Sequence, residues 1–452
     1  MSWKILAGSV MASVSCLAVD PSVSGVSFTY GGGRTASRIS YVLSGAPAVV
    51  TIDIETNTLA NGEGEWALVG GESTGRLVGE VSTVVRTLDK QVSAWWWPAD
   101  SWSGKKLPAG AVRARITAYP TNSPPDYMVV DIADFTNSVR FYSCEASLPG
   151  GIGSDLYRKD AMVMRRIPAA NVVWRMGTPG GSGNDTPHKV LLTEDYYMGV
   201  FEFTQGQYSL FDSNPSELKD VEGNDFRHPV ECVTHKSLRG QNGMADDPYG
   251  WPTDDHVLLS SSIIGKLRRQ TGLSMLDLPT DAQWEYACRA GTGTPINTGK
   301  ESPTANDWKA VAWYNAPNAT ANCKWHYPVG TKLQNGWGLY DMHGNILELC
   351  LDWCVTNATD FVATFQEGWQ NGAVTTNPVG VAYSAAQQEV LRVVKRGGSS
   401  SHDATHLPSG FHMVGGWNYK DGYIGFRLVC PLSDVVGLLG DPNATPGDDV
   451  AQ

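Results

Sequence analysis

Three imidazoles fall close together near the C-terminus, at His402, His406 and His412. Histidine is the commonest nitrogen ligand for divalent transition metals, so the cluster is a candidate metal site, with ordinary surface histidines as the alternative. Thiol chemistry offers less. Apart from Cys16, the cysteines are Cys144, Cys232, Cys288, Cys323, Cys350, Cys354 and Cys430, an odd set without the paired CxxC spacing of a zinc site. Cys350 and Cys354 read as buried small hydrophobes. No nucleophile sits beside a base in a recognisable motif, and no phosphate-cradling loop occurs. The aromatics Trp95, Trp96, Trp97 and Trp102 read first as core and interface packing, with sugar stacking as the alternative.

The elements that must position these groups change character along the chain. From about 20 to 145, alternation in Ala48–Ile54 and Val112–Tyr119, broken by Gly, Asn and Pro turns, predicts a β-sandwich domain. Residues 146–170 read as a connection. Beyond it, strand and helix signals mix, and Thr280 followed by Gln283 predicts a capped helix start. Residues 432–452 end in an acidic, turn-rich run and read as a flexible tail.

Length and composition narrow the function classes. The chain has 452 residues, which favours two domains, and its 49 Gly, 25 Pro and 16 Trp indicate a globular, loop-rich protein. A formal net charge of -12 argues against a nucleic-acid partner, whose phosphates require clustered cations. Residues 1–18 fit a secretory signal peptide, with acylation of Cys16 as a second possibility. No later stretch is apolar for long enough to form a transmembrane segment. A secreted or cell-surface protein is expected.

Four segments carry a family pattern: YYMGVFEFTQGQY at Tyr196–Tyr208, LPTDAQWEYACRAGT at Leu278–Thr292, NGWGLYDMHGNILEL at Asn335–Leu349, and RVVKRGGS with IGFRLV within Arg392–Val429. Together they resemble the formylglycine-generating enzyme (sulfatase-modifying factor) family over roughly 170–431. The resemblance implies an α+β, C-type-lectin-type fold over 171–431 with little regular secondary structure, outside which the N-terminal β-sandwich lies. In the oxidising family members, a cysteine pair beyond the GGS motif binds copper. Here the matching positions are His402 and Leu407, and no cysteine lies between Cys354 and Cys430. Leucine cannot ligate a metal, so no copper and no catalytic residues are expected, and fold alone does not restore the activity. A related iron-dependent branch relies on an additional helical domain, of which the sequence holds no sign.

Two family features transfer by position. The resemblance implies structural calcium held by the side chains of Asp341 and Glu348 and the carbonyls of Gly344 and Ile346, hard oxygen ligands of the kind calcium prefers. It also implies a disulfide between Cys288 and Cys430, although Cys430 lies two residues further along its strand than the family position.

The segment between RGGS and IGFRLV contains no arginine and mixes Ser, His, Asp, Phe, Gly, Trp, Asn and Tyr, the blend of rigid aromatics and adaptable polar groups found in paratopes. It is similar to the variable segments of diversity-generating retroelement proteins, displayed on the same lectin-type fold. That resemblance implies ligand contacts from Ser400, Ser401, His402, Asp403, His406, Phe411, His412, Trp417, Tyr419, Asp421 and Tyr423. The expected function is non-catalytic binding of a protein or glycan ligand. The alternative is a divergent metal-dependent oxidoreductase using a histidine site.

Overall fold

The computed structural model describes residues 20–440 except 33–34, 58, 60–62, 99–101, 103–109, 135–137, 179–186, 218–224, 241–256, 317–325, 356–372 and 381–390. The expected signal peptide, Cys16 and Cys323 therefore lie outside the described residues, as does the stretch beyond Gly440.

Eight strands open the chain: β1 (Ser22–Thr29), β2 (Ser37–Ser44), β3 (Ala48–Asn57), β4 (Trp66–Leu68), β5 (Arg76–Gly79), β6 (Val84–Val85), β7 (Gln91–Trp97) and β8 (Val112–Pro120). They form two sheets. One has the order β1-β2-β7-β5, and the other joins β4, β3 and β6, with β8 also pairing β3. Alternation explains how they stack. Ile39, Tyr41 and Leu43 from β2 meet Val50, Ile52 and Ile54 from β3 in one apolar cluster, which Trp96 and Trp102 complete. The opposite side of β3 carries Thr51, Asp53 and Glu55, all buried. There Asp53 accepts hydrogen bonds from Ser143 at 2.8 Å and Ser147 at 2.6 Å, tying the first unit to the second.

The second unit contributes β9 (Tyr127–Asp131), β10 (Val139–Tyr142), β11 (Ala161–Ile167), β12 (Val172–Met176), β13 (His188–Leu192) and β14 (Tyr196–Gly199). Next come β15 (Ala312–Trp313), β16 (His343–Gly344), β17 (Leu347–Val355), β18 (Val374–Thr376), β19 (Leu391–Arg396), β20 (His412–Gly415), β21 (Ile424–Gly425) and β22 (Val429–Pro431). Its largest sheet runs β10-β9-β11-β14-β22, and a four-stranded sheet runs β20-β19-β17-β21. Strand β9, within the span read as sandwich, thus pairs with β10 on one side and with β11, within the span read as connection, on the other. Among the described residues, helices are few and short and strands predominate. The helix Asp281–Arg289 starts on a complete capping box between Thr280 and Gln283, as their spacing predicts.

Two expectations are corrected. Residues Leu432–Gly440, read as the start of a flexible tail, form a helix. Apolar residues at positions 435 and 439 lie on one face one turn apart, and Val435 and Leu439 are buried. Asp434 fastens this helix by accepting from the Ser274 hydroxyl at 2.6 Å and the Met275 amide at 2.9 Å. Cys288 and Cys430 are also separate thiols. Cys288 faces the Met342 carbonyl at 3.6 Å, whereas Cys430 faces Asp434 at 3.4 Å, and the two lie in different apolar clusters. A two-residue offset along a strand preserves the face but moves the side chain by about 7 Å, more than a disulfide tolerates.

No helix among the described residues is long and apolar enough to cross a membrane.

Candidate recognition face and buried charge centre

The segment under the candidate face begins where β19 ends. Arg396 is buried, engages Asp281 and Glu285, and donates to the carbonyls of Ser409 and Phe411 at 3.2 Å each. Gly397 and Gly398 then take left-handed φ values of 90° and 73°. Gly398 needs its missing side chain, because a Cβ there would stand 2.8 Å from the His406 carbonyl oxygen. Past this turn, the Ser399 hydroxyl lies 2.9 Å from that of Ser401 and 2.8 Å from Nδ1 of His402. Ser400 is fully buried and its amide donates to Asn345 at 2.9 Å. It supports the turn from beneath and presents no side chain outward.

Asp403 caps the short helix Ala404–His406 by accepting from the Thr405 amide, and its carboxylate lies 2.9 Å from Nδ1 of His406. The rings of His402 and His406 stack with centroids 4.8 Å apart, and His406 meets Phe411 edge-on at 5.2 Å. Burial and the neighbouring His406 depress the His402 pKa. His412 belongs elsewhere. It sits in β20 opposite Arg396, with Asp281, Glu285 and His188 as its electrostatic neighbours, and burial pushes its pKa down to about 4. The three histidines therefore form a pair and a separate, half-buried residue whose ring nitrogens are shielded from solvent. Among the described residues no group of three or more His, Cys, Asp or Glu side chains is arranged to hold a metal ion.

Leu407 is fully buried among Ile296, Trp308, Val311 and Tyr314. Of the two positions matching the copper-binding cysteines, one is thus core packing and the other an imidazole tied to Ser399.

Further along, Trp417 is half-buried against the main core, while Tyr419 is 53% exposed. The Tyr419 hydroxyl donates to Asp421 at 2.9 Å, and the Lys395 ammonium lies 5.2 Å from its ring centre. The segment is anchored again at its far end. The Asp421 carbonyl accepts from Cys232 at 3.1 Å, and the Tyr423 carbonyl accepts from Leu347 at 2.7 Å. Held at both ends, the stretch exposes Asp403 and Tyr419, with Ser401, His402, His406, Phe411, Asp421 and Tyr423 partly accessible.

The segment expected to hold calcium is built around charge. Glu348 is fully buried and receives both Nε and Nη2 of Arg427 at 2.6 Å each, plus Nε1 of Trp284 at 2.7 Å. That fork-to-fork geometry occupies both carboxylate oxygens. Glu202 accepts from Asn345 at 2.6 Å and from the Ile346 amide at 3.2 Å. Asp341 accepts from the Gly330 amide at 2.6 Å with one oxygen, while its other, Oδ1, is buried without a hydrogen-bond partner. Burial first, and then facing Glu348, push the Asp341 pKa up to about 6. The orphaned oxygen and crowded carboxylates suit a compensating cation beside Asp341, whereas Glu348 is already committed to Arg427.

Glu202, Trp284 and Arg427 were not singled out from sequence. Their signal was available, since each sits inside one of the four motif segments. What sequence lacked was their convergence on Glu348. A second unflagged group pairs His228 and His326, ring nitrogens 3.0 Å apart, with Glu231 3.7 Å from His326.

Residues 158–432 match the family model of the sulfatase-modifying factor enzyme 1-like domain. The chaperone protein LppX of Paenibacillus barcinonensis is 28% identical over 190 residues, covering 36% of this chain and 65% of that protein. The formylglycine-generating enzyme of Streptomyces coelicolor is 30% identical over 171 residues, covering 37% of this chain and 48% of the enzyme. The chain thus spans less than two thirds of each. Among solved structures, Treponema denticola variable protein 1 aligns with a TM-score of 0.44 at 22% identity, covering 60% of this chain and 95% of that one. PvdO from Pseudomonas aeruginosa aligns with a TM-score of 0.43 at 20% identity, covering 60% and 94%.

Proposed function

The chain belongs to the sulfatase-modifying factor enzyme 1-like family, and from that membership we propose that it is a non-catalytic binding protein. Residues 399–423 form its recognition segment on a lectin-type fold, and an N-terminal β-sandwich carries it in a secreted or surface-displayed protein. One observation carries the reading. The position matching a copper-binding cysteine is Leu407, buried in an apolar cluster, so the site that does the family's chemistry has become part of the core that supports a surface segment.

The composition of that segment supports recognition. Tyr419 offers a rigid aromatic, and Asp403, His406 and Asp421 offer adaptable polar groups at small ordering cost. The ligand class is a protein or glycan. The segment resembles those diversified by retroelements, which gives a direct test: sequencing the DNA around the gene. A neighbouring reverse transcriptase with a near-copy of codons 392–427, differing chiefly where the copy has adenine, is the expected result. Absence of both removes diversification from the proposal.

The oxidoreductase alternative is tested by metal analysis of purified protein, where stoichiometric copper or iron would revive it. Calcium enters the proposal only as a charge-compensating ion held by Asp341 with the carbonyls of Gly344 and Ile346. It would neutralise the buried carboxylates and perform no chemistry. A higher melting temperature with calcium than with chelator is expected, and identical midpoints would remove the ion.

A further inference from the structure

The first sheet presents a second surface unconnected with the 399–423 segment. Along β7, Val92, Ala94 and Trp96 turn into the core, so the alternating positions turn outward, leaving Trp95 40% and Trp97 43% exposed. The tryptophan cluster is therefore divided. Trp96 and Trp102 pack together with centroids 5.1 Å apart, whereas the two outward indoles stand roughly 7 Å from each other along one strand.

Register sets what surrounds them. Arg38 of β2 is directly opposite Trp95, and Arg76 of β5 is directly opposite Trp97. The next pair on that side is Ser40, which is buried, and Ser93, which is partly exposed, with hydroxyls 3.3 Å apart, and Arg38 donates to Ser93 at 3.3 Å. None of the four strands contains an aspartate or glutamate, in a chain with 46 of them. The face is thus aromatic, hydroxyl-bearing and cationic on a protein of net charge -12.

From this juxtaposition we infer that the outer face of the β1-β2-β7-β5 sheet binds an acidic polysaccharide, with Trp95 and Trp97 stacking sugar rings and Arg38 and Arg76 pairing with uronate carboxylates. Each part answers one property of such a chain. Indole faces suit the C–H-rich faces of pyranose rings, which are apolar on the ring face and polar at the edge. Guanidinium groups take carboxylates in a two-point fork. The partly exposed Ser93 hydroxyl matches sugar hydroxyls. Charge complementarity selects the acidic glycan over a neutral one, because none of the four strands supplies a carboxylate to answer the two arginines. It also disfavours nucleic acid, whose phosphate backbone needs several neutralising contacts rather than two.

The test is electrophoresis of the full-length protein through native gels containing polygalacturonate, alginate or hyaluronate, with dextran and poly(dT) as comparison polymers. Retardation by at least one polyuronate is expected, falling as salt is added. Trp95→Ala with Trp97→Ala should abolish it, and Arg76→Gln should weaken it several-fold. The melting temperature should move by no more than about 2 °C, because both indoles lie outside the core. The inference is overturned by migration unchanged in all three polyuronates, by equal retardation in dextran, by retardation in poly(dT) alone, or by undiminished retardation of the double tryptophan variant.

Discussion

At the scale of single residues, the decisive groups are charges withdrawn from water. Arg427 and Glu348 are fully buried, and each satisfies the other. Removing one member leaves an uncompensated ion, so Arg427→Ala is expected to lower unfolding free energy by about 3–5 kcal/mol, read by denaturant titration. Lys395 makes the opposite case. Burial lowers its pKa from 10.5 to about 8, with nearby Asp421 opposing the shift only in part. Between pH 8 and 10.5 the unfolded chain therefore holds more protons than the folded one, and stability rises with pH across that window. Below pH 8 the full cost of burying the ammonium is present. Lys395→Met should accordingly stabilise the protein at pH 7 by as much as about 3 kcal/mol and flatten the profile above pH 8. An unchanged profile would show that the ammonium reaches solvent.

At the scale of elements, the helix Leu432–Gly440 is an integral part of the fold. It buries Val435 and Leu439, and its Asp434 satisfies groups at Ser274 and Met275. Truncation after Pro431 should cost roughly 3–6 kcal/mol from the apolar side chains alone, measurable as a lower denaturant midpoint. A midpoint equal to that of the intact chain would show that the helix only decorates the surface. The capped helix Asp281–Arg289 was fully legible in sequence, because Thr280 and Gln283 satisfy the first turn locally. Its partners were not legible. Asp281 and Glu285 meet Arg396 across more than a hundred residues, a distance no local pattern encodes.

At the scale of the whole molecule, the two units share buried polar contacts. Asp53 of β3 ties Ser143 and Ser147, and Arg86 donates to the Leu439 carbonyl at 2.8 Å. Asp53→Ala removes the carboxylate that accepts from those hydroxyls and leaves Arg115 with Glu55 alone, so a loss of about 2–4 kcal/mol is expected. If the units unfold as one, calorimetry of this variant will show a single lowered transition. Two separated transitions would place the cooperative boundary at this contact.

The sequence by itself determined the strand-rich character of the first unit, the helix cap at Thr280, the family membership carried by four motifs, and the missing cysteine pair. Each is a property of residue type and short spacing. Tertiary structure decided which residues meet. It divided three neighbouring histidines into a stacked pair and a separate half-buried residue, turned Ser400 and Leu407 inward within the 399–423 segment, and joined β9 and β10 to the second unit. It kept Cys288 and Cys430 apart, and it turned Trp95 and Trp97 outward while Trp96 went in. Strand alternation sets which side chains share a face, but only sheet pairing and the packing of one layer on another decide whether that face meets core or solvent.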